Sequence, residues 1–238
     1  YFNIFCTLMR GRKIKTLING LAYELDLGET IDIALYLGRF EPDVSSAINK
    51  YTKPEMVILD IGANIGAHTL LFGKIAGEKG CVYAFEPTDF AYRKLSTNVG
   101  LNPALNIKTF KLALSSINEN SREIFFRSSW RTDGKHIDTK SKADFLRLDD
   151  WVKENKVNNL DLIKLDVDGN EYSVLSGGTE VISKYRPVIL MEAISMHFAD
   201  ENRNPFVLLQ KYGYKFYDVG TYKPYKNINE FRSLLPES

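Results

Sequence analysis

Residues 57–66 read VILDIGANIG, and this stretch decides the fold. Its apolar start is typical of a strand that is buried on both faces. Asp60, Gly62 and Gly66 follow, and residues 67–76 then continue with the apolar spacing of a helix. A strand, a glycine turn and a helix in this order are how doubly wound folds present a helix N-terminus to a nucleotide-like ligand.

An acidic residue closes the next apolar run of the chain. Glu86 follows residues 81–85, roughly 20 residues beyond the glycine turn, which is the spacing at which a carboxylate can bind the hydroxyls of a ribose. The sequence therefore predicts a ligand that carries a nucleoside.

The middle of the glycine turn bears on which nucleoside is bound. A dinucleotide fingerprint reads G-x-G-x-x-G, but Asn64 and Ala67 stand at its second and third glycine positions. The phosphate-binding pattern G-x-x-x-x-G-K-[ST] does not occur in the chain. S-adenosylmethionine carries an adenosine and an amino-acid tail but no phosphate, so it suits Asp60, the turn and Glu86 better. A dinucleotide ligand and a plain strand–helix turn are the alternatives.

The composition narrows the classes of partner. The 238 residues fit one α/β domain with embellishments, and 31 basic against 30 acidic residues give a net charge of +1. Such a balance lacks the broad positive field that nucleic-acid binding needs, so no nucleic acid is expected as a partner. Only Cys6 and Cys81 are present, which argues against a disulfide framework or a zinc site and favours a reducing, cytoplasmic location. No apolar run approaches the roughly 18 residues of a membrane span.

The chain divides into an N-terminal extension, residues 1–52, and a ligand-binding domain, residues 53–238. In the extension, two short strands around Asn19-Gly20 predict a hairpin, and a helix over 42–51 follows it as a lid or shoulder on the sheet. The domain carries a polar stretch at 115–145 that we interpret as an insertion loop.

Strands and helices alternate through the domain, which predicts a doubly wound, mostly parallel sheet with helices on both faces. The predicted strands are 56–61, 81–86, 107–114, 160–167, 188–193 and 214–218, and the predicted helices are 65–76, 89–101, 148–155, 171–175, 178–185 and 205–211.

A second informative block, residues 163–171, reads IKLDVDGNE. Lys164 and Asp166 are two positions apart on a predicted strand, so they share a face, and a buried lysine requires a partner because an unpaired buried charge is expensive. Glu192 ends another apolar run. Together with Asp60 and Glu86, these carboxylates are expected at one edge of the sheet, where they can supply a general base or hold a cation.

The two blocks, with Phe85-Glu86-Pro87, Arg147-Leu148-Asp149-Asp150-Trp151 and Pro187-Val188-Ile189-Leu190-Met191-Glu192, resemble the FkbM-type family of S-adenosylmethionine-dependent methyltransferases. The similarity runs in order from about Leu37 to Asp218. Asp168 departs from the family pattern, which usually has Glu there. The resemblance implies a seven-stranded, Rossmann-like methyltransferase sheet for residues 53–238. It also implies O-methylation of a hydroxyl, often on a sugar, a glycan or a polyketide-type natural product.

The resemblance and the mechanism of methyl transfer assign roles to particular residues. Asp166, with Lys164 and Glu192, is expected to orient or deprotonate the acceptor hydroxyl, and His68 competes with it as the base. Asp166 and Glu192 are also candidate ligands for a divalent cation such as Mg²⁺. The predicted cofactor-binding residues are Asp60, Gly62, Ala63, Asn64, Gly66, Glu86 and Pro87, with Ala113, Leu114 and Ser115 beside the adenine.

Two other functions are alternatives to O-methylation. The chain could be a catalytically silent adenosyl-binding domain of a larger glycan-assembly protein. Methylation of an amino group is less favoured, because enzymes of that type usually carry an [Asn/Asp]-Pro-Pro-[aromatic] turn where this chain has Asp166-Val167-Asp168-Gly169. The expected partner is a small-molecule or glycan hydroxyl acceptor, which the sequence does not identify further, and the oligomeric state is open.

Overall fold

Five parallel strands form the central sheet of this computed structural model, which describes residues 11–130, 136–194 and 200–233. The strands in chain order are β1 (Lys13–Ile18), β2 (Leu21–Asp26), β3 (Val57–Ile61), β4 (Cys81–Phe85), β5 (Ile107–Phe110), β6 (Leu112–Ser115), β7 (Glu119–Trp130), β8 (His136–Arg147), β9 (Leu162–Leu165) and β10 (Val188–Met191). The helices are α1 (Thr30–Tyr36), α2 (Pro42–Tyr51), α3 (Ala67–Ala76), α4 (Asp89–Gly100), α5 (Leu148–Glu154), α6 (Glu171–Ser176), α7 (Thr179–Tyr185), α8 (Pro205–Lys211) and α9 (Ile228–Arg232), with a 3₁₀ turn at Glu201–Arg203.

The strand order of the central sheet is β10-β9-β3-β4-β5. From β3 the chain proceeds outward through β4 and β5, and later returns to the other side of β3 to form β9 and then β10. The order therefore reverses between β3 and β9, and in open α/β sheets ligands bind outside the carboxyl ends of the strands at this point.

Both faces of the central sheet are covered because its strands are apolar on both sides. Ile58 packs in a cluster with residues of α2 and α3, including Ile48 and Phe72. Leu59 and Ile61 point to the opposite face, where they join residues of α5, α7 and α8. This alternation is the period of two that a strand imposes, applied to a sheet without a solvated face.

An aromatic cluster anchors α5 to one face of the sheet. The Trp151 side chain is 1% exposed and meets the ring of Phe85 edge to face, with centroids 4.7 Å apart. Phe110 and Tyr83 contact the same indole at 5.2 and 5.1 Å. Edge-to-face pairs at these separations add to the free energy that burial already provides.

The predicted N-terminal hairpin is present as β1 and β2. Its turn residues Asn19 and Gly20 both have positive φ, 52° and 78°, as a tight hairpin turn requires. Apolar side chains of β2 pack against α3. The buried Asn98 of α4 accepts a hydrogen bond from the Glu24 N–H and donates one to the Ile65 carbonyl, both at 2.8 Å. The hairpin is thereby tied to the glycine turn.

The prediction of seven strands in one sheet is wrong for the described residues, in which the central sheet has five. The predicted strand 107–114 is two strands of different sheets, because β4 ends at Phe85 and leaves the chain after Phe110 without a partner in the central sheet. Residues 112–115 pair instead with β8, in a separate sheet of order β6-β8-β7.

The stretch 115–145 was predicted to be a loop, but most of it forms the long antiparallel pair β7 and β8. The tip of this hairpin, residues 131–135, lies outside the described residues, as do residues 1–10 of the extension and residues 195–199 and 234–238. The predicted strand 214–218 is also wrong, because this segment makes one bridge, Tyr217 to Pro224, and a local turn in which the Asp218 N–H donates to the Lys223 carbonyl.

Across the described ranges, every helix is too short or too polar to cross a membrane.

Candidate active site

The two sequence blocks meet at the point where the strand order reverses. β3 and β9 are parallel neighbours, and their register places Asp60 beside Lys164 and Ile61 beside Leu165. Directly beyond the strands, Gly62 has a φ of 82°, and a β-carbon built on it would lie 1.8 Å from the backbone oxygen of Asp166. This contact requires glycine, because any side chain would overlap the neighbouring strand end.

A buried lysine joins the carboxylates of the two blocks. Lys164 Nζ lies 3.1 Å from Asp166 Oδ2 and 3.5 Å from Asp60 Oδ1, and it donates to the Gly62 carbonyl at 3.3 Å. Burial lowers the pKa of Lys164, but Asp60 and Asp166, with a smaller contribution from Glu41, outweigh burial and raise the pKa above its usual value. Lys164 therefore stays protonated at neutral pH and cannot serve as a base, so its role is to hold the carboxylates in position.

Asp60 is held from below by a helix as well as by Lys164. Its side chain is 0% exposed, and its Oδ2 accepts a hydrogen bond of 2.6 Å from the Thr69 hydroxyl of α3. Oδ1 has no hydrogen-bond partner among the described residues and faces only the Lys164 ammonium. Asp60 thus connects β3 to α3 and to Lys164 beneath the site, and it lines neither of the two cavities described below.

The carboxylate of Glu86 organises the turns that follow β3 and β4. Its Oε2 accepts the Asn64 N–H at 3.0 Å, and its Oε1 accepts the N–H and the hydroxyl of Thr88 at 2.9 and 2.6 Å. Asn64 has a φ of 48°, a left-handed conformation that asparagine tolerates better than most residues. Burial raises the pKa of Glu86, and its hydrogen bonds with Thr88 and Asn64 oppose this shift.

Two adjacent cavities open at this edge of the sheet. The first, of about 380 Å³, is called the central cavity, and the second, of about 500 Å³, is called the side cavity. They share Gly62, Pro87 and Val167 as walls. Of the predicted residues, Ala63, Asn64, Glu86, His68, Lys164, Asp166 and Glu192 line the central cavity, whereas Ala113, Leu114 and Ser115 line the side cavity.

Gly66 lines neither of the two cavities. It precedes α3 with a φ of 88°, and a β-carbon there would lie 2.9 Å from Leu95 Cδ1. Its contribution is to let the chain turn tightly against α4 and enter α3.

The described residues give no support to the predicted divalent cation. They contain no group of three or more His, Cys, Asp or Glu side chains with the arrangement of a metal site. Asp166 and Glu192 both line the central cavity, but the carboxylate of Asp166 already faces the Lys164 ammonium. That ammonium compensates the charge that a cation would otherwise neutralise.

The sequence reasoning missed the cavity residues that come from the N-terminal part of the chain. Thr30, Ile31, Phe40 and Glu41 line the central cavity, and Thr88 lines it beside Glu86. Pro42 at the start of the predicted helix was a signal that a turn precedes it, but no sequence pattern indicated that this turn reaches the cavity.

His68 lies in the first turn of α3 and is 5% exposed. Its Nε2 is buried without a hydrogen-bond partner among the described residues, and its ring centroid lies 5.2 Å from that of Phe40. Burial, with the nearby Lys164 charge, lowers the pKa of His68 from 6.5 to about 3. The imidazole is therefore neutral at physiological pH.

This depressed pKa makes the folding stability sensitive to acid. The neutral imidazole is favoured in the folded state, so its contribution is complete above pH 6.5 and is lost as the pH falls from 6.5 towards about 3. Between pH 7 and about pH 4.5, we expect His68 to cost about 2–3 kcal/mol of unfolding free energy, since one pKa unit corresponds to about 1.4 kcal/mol. Urea unfolding of the wild type and His68→Gln at both pH values measures this cost. Equal acid losses in the two proteins would contradict it.

Comparison with protein families gives a match over the region that carries the site. The family profile described as the methyltransferase FkbM domain matches residues 60–216. The match begins at Asp60 and includes the glycine turn, Glu86 and the Lys164–Asp166 pair, whereas Glu41 lies outside it.

Curated relatives match a similar length of the chain. The 2-O-methyltransferase NoeI of Sinorhizobium fredii is 31% identical over 155 residues, covering 56% of this chain and 62% of that protein. The hexuronic acid methyltransferase AglP of Haloferax volcanii is 30% identical over 156 residues, covering 64% of this chain and 62% of that protein. The chain thus spans about three fifths of the length of these relatives.

Among solved structures, the chain is similar to a SAM dependent methyltransferase from Aquifex aeolicus. The likeness covers 76% of this chain and 85% of that chain, with 15% sequence identity and a TM-score of 0.46.

Proposed function

The chain belongs to the family of FkbM methyltransferase domains, and from that premise we propose that it transfers the methyl group of S-adenosylmethionine to a hydroxyl of a sugar or glycan. The observation that carries the proposal is the central cavity. The buried Glu86 carboxylate, the Lys164–Asp166 pair and the glycine turn all line this one cavity. The sugar acceptor is supported by the names of two relatives, a 2-O-methyltransferase and a hexuronic acid methyltransferase.

The residues around the two cavities fit the cofactor. A buried carboxylate such as Glu86 is suited to accept hydrogen bonds from the two hydroxyls of a ribose. The side cavity, with Ala113, Leu114, Ser115 and the partly exposed Ile117, offers apolar walls for an adenine. In this arrangement, the turn residues Gly62, Ala63 and Asn64, which line the central cavity, would lie along the methionine part. When bound, S-adenosylmethionine supplies a methyl group activated by a sulfonium.

In the proposed reaction, the acceptor is bound by the second sequence block, residues 163–171, together with Glu192. Lys164 fixes Asp166 at the end of β9, and Glu192 lines the same cavity beyond the end of β10. In our proposal, Asp166 and Glu192 accept hydrogen bonds from acceptor hydroxyls and so orient one of them towards the cofactor. Holding the two reactants in line is itself a large part of the catalysis of a displacement reaction.

The principal alternative is that the chain binds the cofactor without methylating an acceptor. The Lys164–Asp166 pair favours catalysis, because burial of the Lys164 ammonium costs desolvation energy that cofactor binding at Glu86 does not require. An amino acceptor and a divalent cation are weaker alternatives, which no contact of the described residues favours.

Calorimetric titration with S-adenosylmethionine and S-adenosylhomocysteine tests the cofactor, with NAD⁺ as the control. We expect saturable binding of both adenosyl compounds and none of NAD⁺. The acceptor is tested with a panel of methyl glycosides of neutral hexoses, 6-deoxyhexoses and hexuronic acids, with mass spectrometry to detect the added methyl group. Absence of adenosyl binding would refute the proposal, and binding without any methylated glycoside would favour the silent domain.

A further inference from the structure

Glu41 and His68 face each other in the wall of the central cavity. Glu41 precedes α2 in the N-terminal extension, and His68 lies in the first turn of α3. Glu41 Oε2 and His68 Nε2 are 3.8 Å apart, and both residues line the cavity together with Lys164 and Asp166.

The separation of 3.8 Å is too long for a direct hydrogen bond but suits a third atom. An oxygen placed beside the pair can lie about 2.8 Å from both Nε2 and Oε2, which is ordinary hydrogen-bond distance. His68 Nε2 is buried and has no partner among the described residues. A buried polar atom of this kind costs about 1–3 kcal/mol when unsatisfied, so the site is built to receive a polar group.

The backbone holds Glu41 in an unusual conformation. Its φ and ψ are 38° and 63°, in the left-handed region that a non-glycine residue seldom adopts, and Pro42 follows it at the first position of α2. Residues held in such conformations cluster at functional sites. Glu41 in this conformation lines the central cavity.

The surrounding charges make Glu41 a better proton acceptor than an ordinary glutamate. The Glu41 side chain is 42% exposed, yet its partial burial at the cavity raises its pKa. The carboxylates of Asp166 and Asp60 raise this pKa further, while Lys164 opposes them. Asp166 differs, because its Oδ2 lies only 3.1 Å from the Lys164 ammonium. Glu41 makes no ion-pair contact with Lys164 of the kind that Asp60 and Asp166 make, and it lies beside a neutral imidazole.

We propose that Glu41 is the proton acceptor of the methyl transfer and that His68 positions the reacting hydroxyl oxygen beside it. This inference rests on the proposed function. The acceptor O–H bond breaks and its proton passes to Glu41. The oxygen forms a bond to the methyl carbon as the C–S bond breaks, and the electron pair of that bond stays on sulfur. Neutral His68, with Nε2 protonated, donates a hydrogen bond to the oxygen as its negative charge grows.

The test compares wild type, Glu41→Gln and Asp43→Asn on the methyl glycoside panel described above. Asp43 is an exposed carboxylate in the first turn of the same helix and does not line the central cavity, so it is the matched control. For Glu41→Gln we expect kcat to fall by about 10²–10⁴-fold, the usual contribution of a general base. We expect Asp43→Asn to keep the wild-type kcat, and all three proteins to bind S-adenosylhomocysteine equally in calorimetry.

A pH profile separates proton transfer from a merely structural role. Wild-type kcat/KM is expected to fall on the acid side as Glu41 is protonated, and Glu41→Gln is expected to lack that limb. The other titratable groups that line the cavity or act on Glu41 are retained in the variant: Lys164, Asp166, Asp168, Glu86, Glu192 and Asp60. Loss of the acid limb on removal of this one carboxylate is therefore assigned to Glu41. Wild-type turnover in Glu41→Gln would overturn the inference while leaving the proposed function intact.

An NMR measurement does not depend on turnover. The chain has three histidines, so the imidazole signals of His68 can be assigned by comparison with His68→Gln. In protein saturated with S-adenosylhomocysteine, adding the methyl glycosides is expected to shift the His68 signals. Unshifted His68 signals would overturn the inference. Failure of the wild type to bind S-adenosylhomocysteine would instead refute the proposed function and the inference together.

Discussion

Replacing Gly62 by alanine is expected to remove both cofactor binding and much of the folding stability. The new β-carbon would lie 1.8 Å from the Asp166 backbone oxygen, so the end of β9 would have to move away from β3. The left-handed φ of 82° adds about 1–2 kcal/mol for a residue with a β-carbon. With about 1–3 kcal/mol for the overlap, the loss reaches about 2–5 kcal/mol, a large share of the stability of a typical domain.

Gly77→Ala is the matched control for this substitution. Gly77 also has a positive φ, 70°, but a β-carbon there would meet no atom within 4 Å. The loss of stability in Gly77→Ala should therefore contain only the conformational cost, about 1–3 kcal/mol, because its φ of 70° and ψ of −171° lie in a region that is essentially restricted to glycine. Urea unfolding gives the two stabilities, and calorimetry with S-adenosylhomocysteine gives the affinities. Equal losses of stability in the two variants would mean that the contact between Gly62 and Asp166 is not tight.

The pairing of the two sequence blocks could be predicted because it follows from local patterns and one topological rule. Residues 57–66 and 163–171 each combine an apolar run with a glycine turn, which marks a strand end without reference to the rest of the chain. Parallel strands place their carboxyl ends at one edge, so Asp60, Glu86 and Asp166 had to approach one another. The structure brings them together as expected and adds the direct contact of Gly62 with β9.

The extent of the sheet could not be predicted from the same patterns. Residues 107–114 alternate in a way that suits one continuous strand, and no residue marks the change of partner after Phe110. That change depends on where the neighbouring β4 ends, which is a property of another segment. The hairpin of β7 and β8 escaped prediction for a related reason: its strands are polar, and their pairing with each other leaves little hydrophobic periodicity to read.

Glu41 is the clearest case of a site residue that the sequence hides. It stands in an exposed turn between α1 and α2, and a glutamate before a proline is most simply interpreted as part of a solvated helix start. Its position at the cavity arises from tertiary packing, because α2 is fixed on the sheet through Ala47 and Ile48.

Glu86→Ala is expected to abolish measurable cofactor binding. In the proposed complex the carboxylate accepts hydrogen bonds from two ribose hydroxyls, and bonds to a charged group contribute about 1.5–3 kcal/mol each. Their loss corresponds to a rise in Kd of about 10²–10⁴-fold. The substitution also leaves the N–H groups of Asn64 and Thr88 without their acceptor, so a loss of stability accompanies it. Calorimetry with S-adenosylhomocysteine and a thermal melt of each protein measure the two effects.

Thr88→Val and Asp166→Asn test whether the loss of affinity in Glu86→Ala comes from the ribose contact or from a general disturbance of this edge of the sheet. Valine keeps the shape of Thr88 but removes the hydroxyl that donates to Glu86 Oε1 at 2.6 Å, so the carboxylate is held less firmly and Kd should rise only about tenfold. Asp166→Asn weakens the contact with Lys164 at the same edge, yet it should bind the cofactor nearly as well as wild type while turnover falls, because its proposed role is on the acceptor side. If Asp166→Asn lost cofactor binding as completely as Glu86→Ala, the loss of either carboxylate at this edge would disturb the cofactor site in the same way. The assignment of Glu86 to the ribose would then lose its basis.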